Sequence, residues 1–194
     1  GEAELEFGYR LDFENGMALG VTGAGKYSNK WRNEDRDMRR YEFSGVEGAS
    51  TQTVDFDEFV TTQTVDSSGF LNLGWEINED HSVSLSGVIL RQTVDTVEQR
   101  KGLSSEDDVS SGTQVESYFM QWVENEIRSA QLSGEHYFPE WSDSVVRWRY
   151  VDGTSQRDAP DTRSYTYADN RNGQQEMVTA NRQAAGDLRE VYQA

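Results

Sequence analysis

Residues 2–13 read EAELEFGYRLDF and lead into ENG at 14–16. Ala3, Leu5, Phe7, Tyr9, Leu11 and Phe13 alternate without a break with Glu2, Glu4, Glu6, Gly8, Arg10 and Asp12. Side chains on a β-strand point to opposite faces with period two, so this stretch makes one wholly apolar face and one strongly charged face. Asn15-Gly16 is a hairpin signal, since a tight turn needs residues that tolerate positive φ. The predicted partner strand starts at Met17, with Leu19, Val21 and Tyr27 in one phase and Thr22, Lys26 and Ser28 in the other. A polar stretch over about residues 29–66 is expected to be a loop.

The unit recurs downstream. Gly69, Leu71, Leu73, Trp75 and Ile77 alternate with Phe70, Asn72, Gly74 and Glu76, and a turn is expected at Asn78, Glu79 and Asp80. Val83, Leu85, Gly87 and Ile89 then oppose Ser82, Ser84 and Ser86, before a second polar loop expected over about residues 95–113. In the third unit the apolar phase shifts between Ile127 and Ala130, which predicts a β-bulge, because one extra residue flips the face. Ala130, Leu132, Gly134 and Phe138 keep phase to a turn around Pro139 to Asp143, and Val146, Trp148 and Tyr150 return opposite Arg147 and Arg149. Residues from Asp152 onward read as a third polar loop. The expectation is an all-β chain of about six antiparallel strands in three hairpins, with short turns at one end and long loops at the other. Transmembrane β-barrels have that asymmetry, the short turns periplasmic and the long loops extracellular. Long structureless loops count against a compact soluble domain.

Composition agrees. Only 35% of the 194 residues are hydrophobic, yet the chain holds 5 Trp, 9 Tyr and 8 Phe, too many aromatics for a disordered acidic tail. The net charge of −17 opposes phosphate backbones, so no nucleic-acid partner is expected. There is no cysteine, hence no disulfide or thiolate metal site. No apolar run is long enough for a transmembrane helix, which leaves barrel strands possible. The chain opens on GEAELEFGYR without a signal-peptide pattern, and an internal piece of a longer barrel is the expectation.

The motifs that would signal catalysis fail on context. GVTGAGK at 20–26 has the glycine and lysine spacing of a phosphate-binding loop, but Tyr27 stands where a Ser or Thr should bind magnesium, and no helical pattern follows. The glycines suit a strand packed against bulky neighbours. His81 and His136 lack zinc spacing, and no G-x-S-x-G elbow is present. The acidic clusters Glu34, Asp35, Asp37 and Glu106, Asp107, Asp108 lack the spacing of a calcium loop. QTVD occurs at 52–55, 63–66 and 92–95, unequally spaced, and reads as repeated β-type composition. No enzyme, cofactor or metal is expected.

The stretch AQLSGEHYF, then SVVRWRY, then DAPDTRSYTY, resembles TonB-dependent outer-membrane receptors. Gln131, Leu132, Gly134, His136 and Phe138 match a Q-L-x-G-x-H-x-F pattern, Trp148 the tryptophan of the next strand, and Pro160, Asp161, Arg163, Tyr165 and Tyr167 a P-D-x-R-x-Y-x-Y segment. GDLREVY near the end is similar to the start of the following strand pair, and the resemblance covers about residues 70–190. It implies that residues 1–194 are part of a 22-stranded plugged barrel in a Gram-negative outer membrane. It also implies TonB-coupled uptake of a scarce nutrient: a siderophore, vitamin or carbohydrate. The implied partners are outer-membrane lipid, the small nutrient, and the TonB system reached through a plug domain not contained in these residues. Trp31, Tyr165 and Tyr167 are the candidates for stacking on a ligand, though each could equally pack loop against loop. The competing readings are a soluble β-sandwich or adhesin-type binding module with acidic loops, and, with less in its favour, a barrel enzyme.

Overall fold

Three short turns organise the chain. In the first, Gly16 N–H donates to Phe13 O at 3.1 Å and Phe13 N–H to Met17 O at 2.8 Å, with Gly16 at φ 83°. A side chain at that φ would meet the backbone, so glycine closes the hairpin there. In the second, Ile77 N–H donates to His81 O at 2.8 Å, and the Asn78 side chain accepts from Asp80 N–H at 3.0 Å. The third is a 3₁₀ turn, Pro139–Trp141, followed by Ser142 and Asp143 at φ 55° and 54°. The Tyr137 hydroxyl ties it down by donating to Asp143 at 2.7 Å.

The computed structural model describes residues 1–43, 50–104, 113–169, 174–183 and 190–193. Between the turns run β1 (Glu2–Asp12), β2 (Ala18–Phe43), β3 (Ser50–Glu76), β4 (His81–Ser104), β5 (Thr113–Phe138), β6 (Ser144–Asp169), β7 (Gln175–Gln183) and β8 (Glu190–Gln193). The first seven form one open antiparallel sheet in chain order, and β8 pairs β6 beyond β7. No α-helix occurs among the described residues. GVTGAGK lies inside β2, where Phe7 covers Gly23 so closely that a Cβ would meet its ring at 2.5 Å.

Three expectations change. Seven consecutive strands replace six. The stretches read as loops are mostly strand: β2 and β3 stay paired from Ala18↔Glu76 to Phe43↔Ser50, and β4 and β5 pair out to Ser104↔Thr113. The third loop is likewise strand, through Asp169 and again over β7. A strand with many polar residues on both faces loses the long hydrophobic alternation but not its ladder hydrogen bonds, so composition hid it. Two of the QTVD repeats are each other's partners, Gln63↔Asp95 through Asp66↔Gln92, with Gln92 donating to Asp66 at 2.9 Å. Residues 106–108 and most of GDLREVY lie outside the described residues.

The expected bulge at 127–130 is absent. β5 pairs β4 in unbroken register from end to end. The shift in β5–β6 pairing falls instead between Trp122 and Glu124, where Ala159 and Pro160 supply the extra residue. Proline cannot donate to a ladder, so a bulge is where it fits. The bulge flips the phase of β6, which leaves Asp161, Arg163, Tyr165 and Tyr167 on the same face as Trp148 and Tyr150.

That shared face is apolar near the turns. Rungs such as Leu11, Leu19, Trp75, Val83, Gly134, Trp148 and Tyr9, Val21, Leu73, Leu85, Leu132, Tyr150 cross all of β1–β6. Apart from the glycine and Val21 and Val83, each of these side chains is exposed. Burial is concentrated on the other side; on the apolar face of the described residues only Gly23 and Gly134, under the rings of Phe7 and Trp148, are buried. Nine buried residues (Ala18, Ser28, Val54, Phe56, Glu58, Val60, Val115, Val123 and Ala168) lie on the polar face, and Ala159 sits in the bulge. Side chains crowd on the inside of a curved sheet and splay on the outside, so the polar face is concave and the apolar face convex.

The border of the apolar area cuts across the rungs. On the convex face the first polar residue beyond it is Asn29, Ser67, Arg91, Arg128 and Asp152 on β2 to β6 in turn. The rung of Tyr27, the last apolar residue on β2, reaches β6 at Gln156, whereas the apolar area on β6 ends at Tyr150. That drop is about 20 Å along the strand over about 19 Å across the sheet. The border is therefore inclined to the rungs by about 45°.

Candidate functional site

The concave face near the turns forms a trough of about 970 Å³. Arg10, Gly20, Gly74, Ser84, Ser133 and Arg149 make one rung across it, so the floor is built of small residues. Ion pairs form its sides. Arg10 grips Glu76 with two hydrogen bonds of 2.8 and 2.7 Å, and Arg147 grips Glu135 with two of 2.9 and 3.0 Å. Two-pronged guanidinium–carboxylate pairs hold their geometry better than single contacts. Ser84 and Ser133 share a hydrogen bond of 2.8 Å across the floor.

Further along the concave face stands a lattice of charges. The Glu58 carboxylate is buried between Arg100 at 2.6 Å and Arg36 at 3.5 Å. Burial pushes this carboxyl up, but the hydrogen bond and charge of Arg100, with Arg36 behind them, hold it below the usual carboxylate range. Arg36 also pairs with Glu34, and Arg100 with Glu98 at 2.6 Å. Burial pushes the Glu98 carboxyl up. Beyond the lattice Val54, Phe56, Val115 and Ala168 form a buried apolar cluster with Met38 against it. Gly102 lies between Phe56 and Val115 in register, and a Cβ there would run into the Asp55 carbonyl, so the two side chains meet over it. Sequence reading missed both clusters, because its loops covered them. Their signal is Val54, Phe56, Glu58 and Val60 at alternate positions.

The residues that carry the receptor resemblance divide by face. Leu132, Gly134, His136, Phe138 and Trp148 share the convex face at the turn end, while Gln131 faces the concave side. Trp148 lies over Gly134, where a Cβ would meet the indole at 2.6 Å, and its N–H donates to His136 Nε2 at 3.0 Å. His136 contacts His81 across the strand pair at 3.3 Å, and Phe138 stacks on Trp141 at 4.8 Å. The result is an aromatic edge along the turns. Pro160 is in the bulge, and Asp161 accepts from Arg163 at 2.9 Å and Arg182 at 3.4 Å. Those two arginines hold the Asp161 carboxyl below its usual range, Arg163 contributing most.

Of the three stacking candidates, the structure joins two. Tyr165 and Tyr167 line a cavity of about 430 Å³ on the convex face with Glu116, Tyr118, Met120 and Gln175. Trp31, on β2, shares that face but lies four strands away and is exposed. Glu34, Asp35 and Asp37 are not one acidic cluster, since Glu34 points to the concave lattice and the two aspartates to the convex side. The chain matches no family model, and no curated protein is similar to it at a meaningful level.

Proposed function

We propose that these strands form part of the wall of a transmembrane β-barrel of the TonB-dependent receptor type, working in uptake of a scarce nutrient across an outer membrane. One observation carries the membrane part: the exposed apolar area lies on the convex face, and its border is inclined to the rungs by about 45°. In a transmembrane barrel the strands tilt by about 35–45°, so a flat membrane surface must cut the rungs at a similar angle. A soluble sandwich would bury its apolar faces between two sheets. Here the apolar side is outermost, and a patch of that size on a soluble monomer would be an aggregation liability. The concave trough, with its ion pairs and serines, suits a wet interior. The aromatic edge of His136, Phe138, Trp141 and Trp148 suits a membrane interface at the turn end.

Strands of 24–27 residues exceed the 9–11 or so needed to cross, so β2–β6 continue well beyond the lipid as a raised wall. The receptor type and nutrient uptake rest on the motif resemblance around residues 131–167. The reading assigns no catalysis. Because the chain has no cysteine, single cysteines report cleanly. In the complete protein in lipid vesicles, cysteines at Val21, Leu73 and Leu85 should resist a water-soluble maleimide, and those at Thr22, Asn72 and Ser86 should react. Ready labelling of the first set would sink the membrane reading.

A further inference from the structure

The cavity on the convex face of β5, β6 and β7 has the makings of a binding site. The rings of Tyr118 and Tyr167 stand edge to face at 6.3 Å and give it two walls at right angles. Its polar frame is already ordered. The Glu116 carboxylate accepts from the Tyr118 hydroxyl at 2.7 Å, from Gln99 at 2.7 Å and from Gln175 at 3.0 Å. Those donors, Tyr118 first, hold Glu116 below the usual carboxylate range, so it stays a fixed anion near neutral pH. The amide oxygens of Gln99 and Gln175 remain as acceptors. Flat rings beside a few fixed donors and acceptors suit a ligand with apolar C–H faces and a hydroxylated rim.

We propose that this cavity binds a neutral saccharide. A pyranose ring offers C–H faces to Tyr165 and Tyr167 and hydroxyls to Glu116 and the glutamines. The fixed carboxylate and the net charge of −17 disfavour acidic sugars. Tyr165 lies on the order of 30 Å beyond the apolar border on β6, allowing for tilt, which is clear of lipid headgroups. On the membrane reading, on which this position depends, the cavity opens outward from the wall. Its saccharide comes either from solution or from the glycan of surrounding glycolipid.

The test uses the complete protein in detergent and in nanodiscs, titrated with maltohexaose, laminarihexaose and mannohexaose, and with hexagalacturonate as the acidic control. One neutral hexasaccharide should bind, the acidic one at least tenfold more weakly. Tyr167→Ala should weaken binding about tenfold or more, Tyr118→Phe by less because the ring stays, and Trp31→Ala not at all. In nanodiscs, competition from added glycolipid with a long neutral glycan assigns the site to that glycan. No competition assigns it to free saccharide. The proposal is overturned if no neutral hexasaccharide binds, if the acidic one binds equally well, or if folded Tyr167→Ala binds like the parent. A protein that binds saccharide but stays monodisperse without detergent keeps this inference and sinks the membrane reading; a detergent-dependent barrel that binds none does the reverse.

Discussion

Leu71 and Phe59 belong to the same strand and the same face, twelve residues apart, and are 44% and 43% exposed. Around Leu71 the convex face is apolar. Around Phe59 it carries Asp35, Asp57 and Gln99, and the apolar side chains Val54, Phe56 and Val60 have moved to the concave face, where they are buried. The polarity of β3 thus inverts along its length while its pairing to β4 stays in register. β5 changes only in part: Val115 and Val123 are buried on the concave face of its far half, while Tyr118, Met120 and Trp122 stay on the convex face with Ala130 and Leu132. On the proposed membrane reading, a change of surroundings accounts for this. Near the turns the proposed medium outside the wall is lipid, so apolar groups face outward. Farther along it is water, so the wall buries its apolar groups on the inside.

The largest test of that contrast is Leu71→Arg. On a lipid face near the midplane an arginine costs roughly 2–4 kcal/mol, measurable as reversible folding of the complete protein into vesicles. A cost under about 0.5 kcal/mol, the usual scale for an exposed site in water, would remove the contrast. Val115→Thr comes next. Val115 is 1% exposed, and a hydroxyl of matched shape buried there without a partner should cost about 1–3 kcal/mol. The same swap at Val146, exposed on the convex side, tests whether the far concave face is a true interior.

A smaller effect comes from the charge lattice. Burial raises the Glu98 carboxyl, so the folded state binds its proton more tightly than the unfolded chain does. Stability therefore falls as pH rises from the unfolded carboxylate value through the raised folded one, and the penalty is complete above that. Glu98→Gln should remove this dependence and stabilise the far half at pH 7 by about 1 kcal/mol or less. Denaturant melts from pH 4 to 8 should show the gain shrinking as pH falls; a variant less stable than the parent at pH 7 would mean that the charged form supports the lattice. The smallest expected effect is Phe59→Arg, within about 0.5 kcal/mol in the same vesicle assay as Leu71→Arg. Equal costs at the two positions would show one medium along the whole strand.

Period-two alternation in EAELEFGYRLDF, and again around Leu71 and Val83, determined the strands near the turns and the phase of their apolar side chains. Gly16, Asn78 and Pro139 placed the turns, because each demands or supplies a local backbone geometry that few residues accept. The far halves of β2–β6 were not legible. Many positions on both of their faces are polar, and the short alternation that remains, Val54, Phe56 and Val60, runs in the opposite phase to Leu71 and Trp75, so it does not read as a continuation of the same strand. The phase change near residue 128 was visible but ambiguous, since an extra residue and a change of surroundings leave the same mark in one dimension. Only cross-strand register separates them. It put the bulge at Pro160, kept β5 straight, and brought Tyr118, Tyr165, Tyr167 and Gln175 from three strands to one cavity. Curvature was likewise a property of the assembled sheet: pleating assigns side chains to two faces, but only their crowding against neighbours on adjacent strands marks which face is concave.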